Sequence, residues 1–135
     1  MSVVVSQVGR DSDGYEWTPL MAAAGNEHFQ LVQYLIEQGE ADPNIANSSG
    51  FNALHFAAGY NRTNTELIQL LLTHMTLNSI NKKGWGETPL DYAYFYNHNP
   101  LRQEFIALLR LKGGKANCHD ENGRYVGDGN GDLND

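Results

Sequence analysis

Basic residues are scarce: nine lysines and arginines stand against sixteen aspartates and glutamates, a formal charge of −7 over 135 residues. A nucleic-acid footprint needs a basic face to neutralise phosphates, so this balance argues against one. Cysteine is scarcer still, since Cys118 stands alone and cannot form an internal disulfide. No apolar run approaches the eighteen or so residues of a membrane span. Val3-Val4-Val5 is far too short for the core of a signal peptide. Together these absences lead to the expectation of a chain in a reducing compartment, the cytoplasm or alternatively the nucleus, with neither nucleic acid nor membrane as partner. Two glycosylation sequons, Asn47-Ser48-Ser49 and Asn61-Arg62-Thr63, acquire meaning only in a secreted chain.

What is present is repetition. Thr18-Pro19-Leu20-Met21-Ala22-Ala23-Ala24, then Asn52-Ala53-Leu54-His55-Phe56-Ala57-Ala58, then Thr88-Pro89-Leu90-Asp91-Tyr92-Ala93 follow one pattern, with Leu20, Leu54 and Leu90 at intervals of 34 and 36 residues. A period in this range marks a stacked array in which no unit buries its apolar face alone. Within a unit, Thr-Pro starts a helix: the hydroxyl accepts a bond from an orphan amide, and proline is tolerated where its missing N–H would have had no partner. Gly25-Asn26 breaks that helix. A second runs from about Phe29 to Gln38, with Val32, Leu35 and Ile36 at helical spacing, and Gly39 ends it. Asn47-Ser48-Ser49-Gly50 is a turn into the next unit. Each unit is thus turn, helix, turn, helix.

These residues resemble ankyrin repeats. In the first unit the resemblance rests on Thr18-Pro19-Leu20, Ala23-Ala24, His28, Val32, Leu35-Ile36, Gly39, Ala41-Asp42 and Asn44. In the second it rests on Gly50, Leu54-His55, Ala57-Ala58, Ile68 and Leu71-Leu72, and in the third on Gly86, Thr88-Pro89-Leu90, Ala93, Phe105, Leu108-Leu109 and Gly113-Gly114. The departures are Glu27 in place of glycine, an extra residue at Glu40, Asn52-Ala53 for Thr-Pro and a longer turn around residues 62–65. The expected fold is an all-α repeat solenoid of stacked helix–turn–helix units joined by β-turn or hairpin loops. Residues 1–12 are an extended lead-in, the units span about 13–46, 47–82 and 83–115, and 116–135 is a flexible acidic tail. The third unit reads as a C-terminal cap, with Arg102, Gln103, Arg110 and Lys112 on its last helix giving a polar outer face. Tyr94, where alanine is expected, needs a pocket.

The resemblance implies a protein that binds another protein through the concave face and loop tips, without enzymatic activity or cofactor, as a monomer. Carried onto this sequence, the contact positions are Tyr15, Trp17, Ser48, Ser49, Phe51, Trp85 and Glu87 at the tips, continued by Tyr60, Phe95 and Tyr96 at the inner-helix ends. Aromatic rings bury large area at small entropic cost. The plainer account has Trp17, Phe51 and Trp85 packing tip against tip. The resemblance also implies that His28 and His55 make hydrogen bonds tying adjacent loops.

Two alternatives remain at this level. The array could be the regulatory segment of a larger enzyme, channel or assembly. Or the tail could respond to calcium, because Asp128, Asn130 and Asp132 alternate as oxygen ligands do, although Leu133 stands where such a loop needs glycine. Cys118-His119-Asp120 holds a nucleophile, a base and an acid, but adjacency in sequence does not bring side chains together. Gly84-Trp85-Gly86 lacks the further glycines and the lysine of a phosphate loop.

Overall fold

The computed structural model describes residues 9–10, 16–38, 41–62 and 65–127. Within them run α1 (Pro19–Gly25), α2 (Phe29–Glu37), α3 (Ala53–Tyr60), α4 (Glu66–His74), the single turn α5 (Leu77–Ile80), α6 (Pro89–Tyr96) and α7 (Arg102–Leu111). Among the described residues strand is confined to short arms. β1 (Gly9–Arg10) pairs antiparallel with β2 (Glu16–Trp17), and single bridges join Ala46 to Asn52, Gly84 to Glu87 and His119 to Tyr125. The chain is an all-α repeat solenoid: α1, α3 and α6 lie side by side as an inner layer, with α2, α4 and α7 packed behind them.

Each inner helix begins at a side chain that satisfies amides the helix leaves without partners. Thr18 Oγ1 accepts from Met21 N–H at 3.1 Å, and Asn52 Oδ1 accepts from the Leu54 and His55 amides. Thr88 and Asp91 form a reciprocal capping box. Small residues at Ala24, Ala57, Ala58 and Ala93 let the inner helices approach closely, and all four are buried. Gly50 is required at its turn: its φ is +95°, and a Cβ there would lie 2.1 Å from the Lys83 carbonyl oxygen.

Asn52 N–H donates to His55 Nδ1 at 3.1 Å, so the imidazole proton sits on Nε2, which donates to the Glu87 carbonyl at 2.8 Å. His55 thereby ties the second unit to the hairpin of the third. Burial lowers its pKa from 6.5 to about 4, against the opposing effect of the Glu87 carbonyl. The folded protein therefore holds this ring neutral while the unfolded chain protonates it near pH 6.5. Its contribution is complete above that value and lost as pH falls towards 4, because the unfolded state then binds the extra proton. At about 1.4 kcal/mol per pH unit, this amounts to about 3 kcal/mol. Urea midpoints measured from pH 7 to pH 4 should fall, and His55→Gln should flatten that fall.

His28 does not play the matching role. Its side chain is exposed and makes no cap bond to α2. The loop is closed without it: His28 N–H donates to the Ala23 carbonyl, and the Glu27 carboxylate accepts from Arg62 N–H in the next unit.

Residues 116–127, which the sequence assigns to the tail, make hydrogen bonds to the array. Asp91, fully buried, sits at the capping-box position that His55 occupies one unit earlier. Its Oδ1 accepts from Cys118 N–H and faces His119 Nδ1, both at 2.8 Å. Its Oδ2 accepts from Thr88 N–H at 2.9 Å and from Asn117 N–H at 2.8 Å. Val126 N–H returns to the Cys118 carbonyl, closing a hairpin. This hairpin supplies the pocket that Tyr94 needs: the ring lies 4.9 Å from that of His119, a Cβ on Gly123 would come within 2.7 Å of it, and Arg110 donates to the hydroxyl. Composition misses this because the anchors are backbone amides on a buried carboxylate, not apolar side chains. Residues 128–135 lie outside the described residues.

Candidate binding surface

The inner layer carries a continuous run of rings contributed by successive units. Trp17 lies tilted against Phe56 at 4.5 Å, Phe56 lies nearly parallel to Tyr60 at 6.4 Å, and Tyr60 meets Tyr96 at 6.2 Å. Helical spacing produces the Phe56–Tyr60 link, four residues apart on α3, and likewise sets Tyr92 and Tyr96 four apart on α6, whereas the Tyr60–Tyr96 link crosses from one helix to the other. Tyr92, buried, fills the seam between α3 and α6 and touches both exposed tyrosines edge-on. Gly59 makes that possible, because a Cβ there would press within 3.0 Å of the Tyr92 ring.

Trp85 stands at the tip of the third unit's hairpin. Gly84 and Glu87 exchange backbone bonds of 2.8 and 2.9 Å around a two-residue turn whose central residues, Trp85 and Gly86, both have positive φ, +49° and +81°. That is the geometry in which strand twist matches turn twist, and it favours Asn or Gly at both places. A tryptophan there is held in a conformation that bulky side chains avoid. The residue is 65% exposed, and its ring meets that of Phe51 edge-on at 5.1 Å.

The other expected contacts divide. Ser48 is exposed, Ser49 and Trp17 are half-buried, and the Ser49 carbonyl accepts from Trp85 N–H, joining the two tips. Tyr60 and Tyr96 are 41% and 43% exposed. Phe51 packs inward. It is 5% exposed and wedged among His55, Phe56, Trp85 and Tyr92, over Gly84, where a Cβ would come within 2.4 Å of the ring. Phe95 is half-buried against His119 and Tyr125 of the last hairpin, which occupies the ring the sequence assigned to a partner. Tyr15 lies outside the described residues. The sequence reading missed Phe56 and Tyr92, whose four-residue spacing from Tyr60 and Tyr96 was the available signal.

Glu87 lies half-buried at the head of this surface, and burial, followed by the Asp91 carboxylate, raises its pKa. The phenols of Tyr60 and Tyr96 are raised too, by burial first and then by the Glu87 charge. Below the two tyrosines a cleft of about 330 Å³ is lined by Gly59, Arg62, Asn97, His98, Asn99 and Pro100. Asn97 fixes its floor, its amide donating to the Ala58 and Asn61 carbonyls at 2.9 and 3.1 Å.

The Cys118-His119-Asp120 run is not assembled into a nucleophile with its base. Cys118 Sγ faces the Gly86 carbonyl at 3.4 Å, His119 faces Asp91, and Asp120 accepts the Asn122 and Arg124 amides of its own turn. Among the described residues no group of three His, Cys, Asp or Glu is placed to hold a metal ion. The residues of the calcium reading, Asp128, Asn130 and Asp132, lie outside the described residues. Among the described residues no helix is long and apolar enough to cross a membrane.

Comparison with known proteins gives a consistent picture. The family model described as ankyrin repeats (3 copies) matches residues 3–74 and 40–122. The NAD-dependent deacetylase sir2B of Dictyostelium discoideum is 31% identical over 106 residues, which is 76% of this chain and 13% of that protein. An ankyrin repeat protein of Neurospora crassa is 40% identical over 60 residues, 42% of this chain and 6% of its own length. An ankyrin repeat-containing protein of Schizosaccharomyces pombe is 35% identical over 63 residues, 45% of this chain and 26% of its own. The chain thus spans from 6% to 26% of the length of these relatives.

Proposed function

The chain belongs to the ankyrin-repeat family, whose arrays generally mediate protein–protein interaction, and we propose that it binds a partner protein through Trp85 and the aromatic surface of the inner helices. The observation that carries this reading is the Trp85 indole, exposed on a turn whose backbone disfavours it. Backbone outliers of this kind cost on the order of 1–3 kcal/mol and collect at functional sites. The array acts as a monomeric, non-enzymatic recognition module, with Ser48, Ser49, Glu87, Tyr60 and Tyr96 flanking the indole and Trp17 extending the surface.

Trp85→Gly tests this cleanly. The change loses one edge-to-face contact with Phe51, about 0.5–1.5 kcal/mol, and relieves a positive φ of similar cost. Melting should therefore move by only a few degrees. Affinity for proteins captured from native extract, quantified by mass spectrometry against the unaltered chain, should fall by about 2 kcal/mol or more, the level of a hot spot. Undiminished capture by a stable variant would remove the tip from the recognition surface.

A second reading is supported by the small share of each relative that the chain spans: the array serves as the recognition or regulatory segment of a larger polypeptide or assembly. Size-exclusion chromatography with light scattering on the native product distinguishes the two, a mass near 15.0 kDa favouring the first.

A further inference from the structure

We propose that Tyr60, Tyr96 and Glu87 form a receptor for one arginine side chain of the partner protein, an inference that rests on the protein-binding reading above. The two phenol rings are exposed side by side, 6.2 Å apart and 34° from parallel, and Tyr92 braces both from beneath. They form a shallow tilted platform, not a box with facing walls. A platform suits a planar cation that lies flat across ring faces, which is how guanidinium stacks, better than a compact ammonium.

Glu87 supplies the opposite charge. It is half-buried, and among the described residues it has no ion pair. Lys82 and Lys83 are exposed on the arm of the same hairpin and do not reach it within salt-bridge distance. The Glu87 carbonyl lies 2.8 Å from His55 Nε2, the His55 ring meets Tyr92 at 5.3 Å, and Tyr92 touches both phenols, so Glu87 stands at the head of the same face; consistently, its charge raises the pKa of both phenols after burial. A half-desolvated carboxylate without a cation is unfavourable alone, and a guanidinium would restore a partner in the fork geometry that carboxylates accept from arginine. The net charge of −7 favours approach of a basic segment. A neutral apolar side chain would cover the rings and leave Glu87 unsatisfied, so charge complementarity selects the cation.

The probe is the capped pentapeptide Gly-Gly-Arg-Gly-Gly, with twins carrying citrulline, the neutral isostere of arginine, or lysine. Aromatic carbon–proton spectra of the full chain are followed during titration to about 20 mM, appropriate to one isolated side chain with a Kd on the order of 1–10 mM. The arginine peptide should shift the Tyr60 and Tyr96 ring signals saturably, the lysine twin less and the citrulline twin negligibly. Glu87→Gln should weaken binding at least about fivefold, the ratio set by about 1 kcal/mol. Tyr96→Leu, which keeps an apolar cover and removes the ring face, should abolish it, and Arg62→Ala should not weaken it. Equal shifts with arginine and citrulline, or none with arginine, overturn the proposal, as does full arginine binding by Glu87→Gln. Parallel capture from extract separates this failure from that of the broader reading: partners retained by Glu87→Gln but lost by Trp85→Gly leave protein recognition standing without the arginine receptor.

Discussion

Leu71→Ala is expected to lower the free energy of unfolding by about 2–5 kcal/mol, as truncation of buried leucines does. Leu71 lies on α4, the outer helix of the middle unit, and is fully buried. α4 packs against α3 within its own unit, against α2 on one side and against α7 on the other. A cavity at Leu71 therefore weakens two junctions as well as its own unit. In a repeat array, stability is the sum of weak unit terms and favourable interface terms, so damage at the centre uncouples both ends. A domain of this size has about 5–15 kcal/mol in total. Chemical denaturation followed by circular dichroism should show an earlier midpoint and a broader transition. A loss below about 1 kcal/mol would mean that the neighbouring helices collapse into the vacated space without cost.

How much of this arrangement can be read from the chain depends on what holds each part. The array is legible because its determinants are side chains at fixed spacing: Leu20, Leu54 and Leu90 recur in phase, and all three are buried. The helix starts are legible for the same reason, since Thr18, Asn52 and Thr88 all act as caps. The sequence leaves Phe51 open between binding and packing because its burial depends on a long-range absence. Only the missing Cβ of Gly84 lets the ring lie where it does, and no local pattern marks that approach. Trp85 sits one residue further along and is exposed, although both are aromatic residues at hairpin tips. Sequence position alone could not separate them. The contacts of residues 116–127 are hidden in the sequence for a different reason. Their anchors are the amides of Asn117 and Cys118, which every residue but proline possesses. The side chain that marks the site is Asp91, a carboxylate where the preceding unit carries His55. A carboxylate accepts, so what docks beside it must donate.

That complementarity makes Asp91→Ala the second large effect. The substitution removes the common acceptor of the Thr88, Asn117 and Cys118 amides and the partner of His119, in a region the last hairpin shields from water. Leaving buried donors without an acceptor costs about 1–3 kcal/mol for each group that stays desolvated, so with several donors on one carboxylate the loss should reach about 3–5 kcal/mol. Melting should fall by roughly 10 °C or more, given the shift per kcal/mol of domains near this size. Truncation after Ala116 acts on the same contacts from the other side. It opens Asp91 to water, which replaces the lost donors, but it also uncovers Tyr94 and Phe95 and removes the ring contacts of His119 with both. The truncation should therefore destabilise less than Asp91→Ala, and adding Asp91→Ala to the truncated chain should cost far less than it does in the full one. This non-additivity is the signature of one shared network. A truncated chain that melts at the full-length temperature, with Asp91→Ala equally costly in both, would show that the hairpin does not rest on the carboxylate.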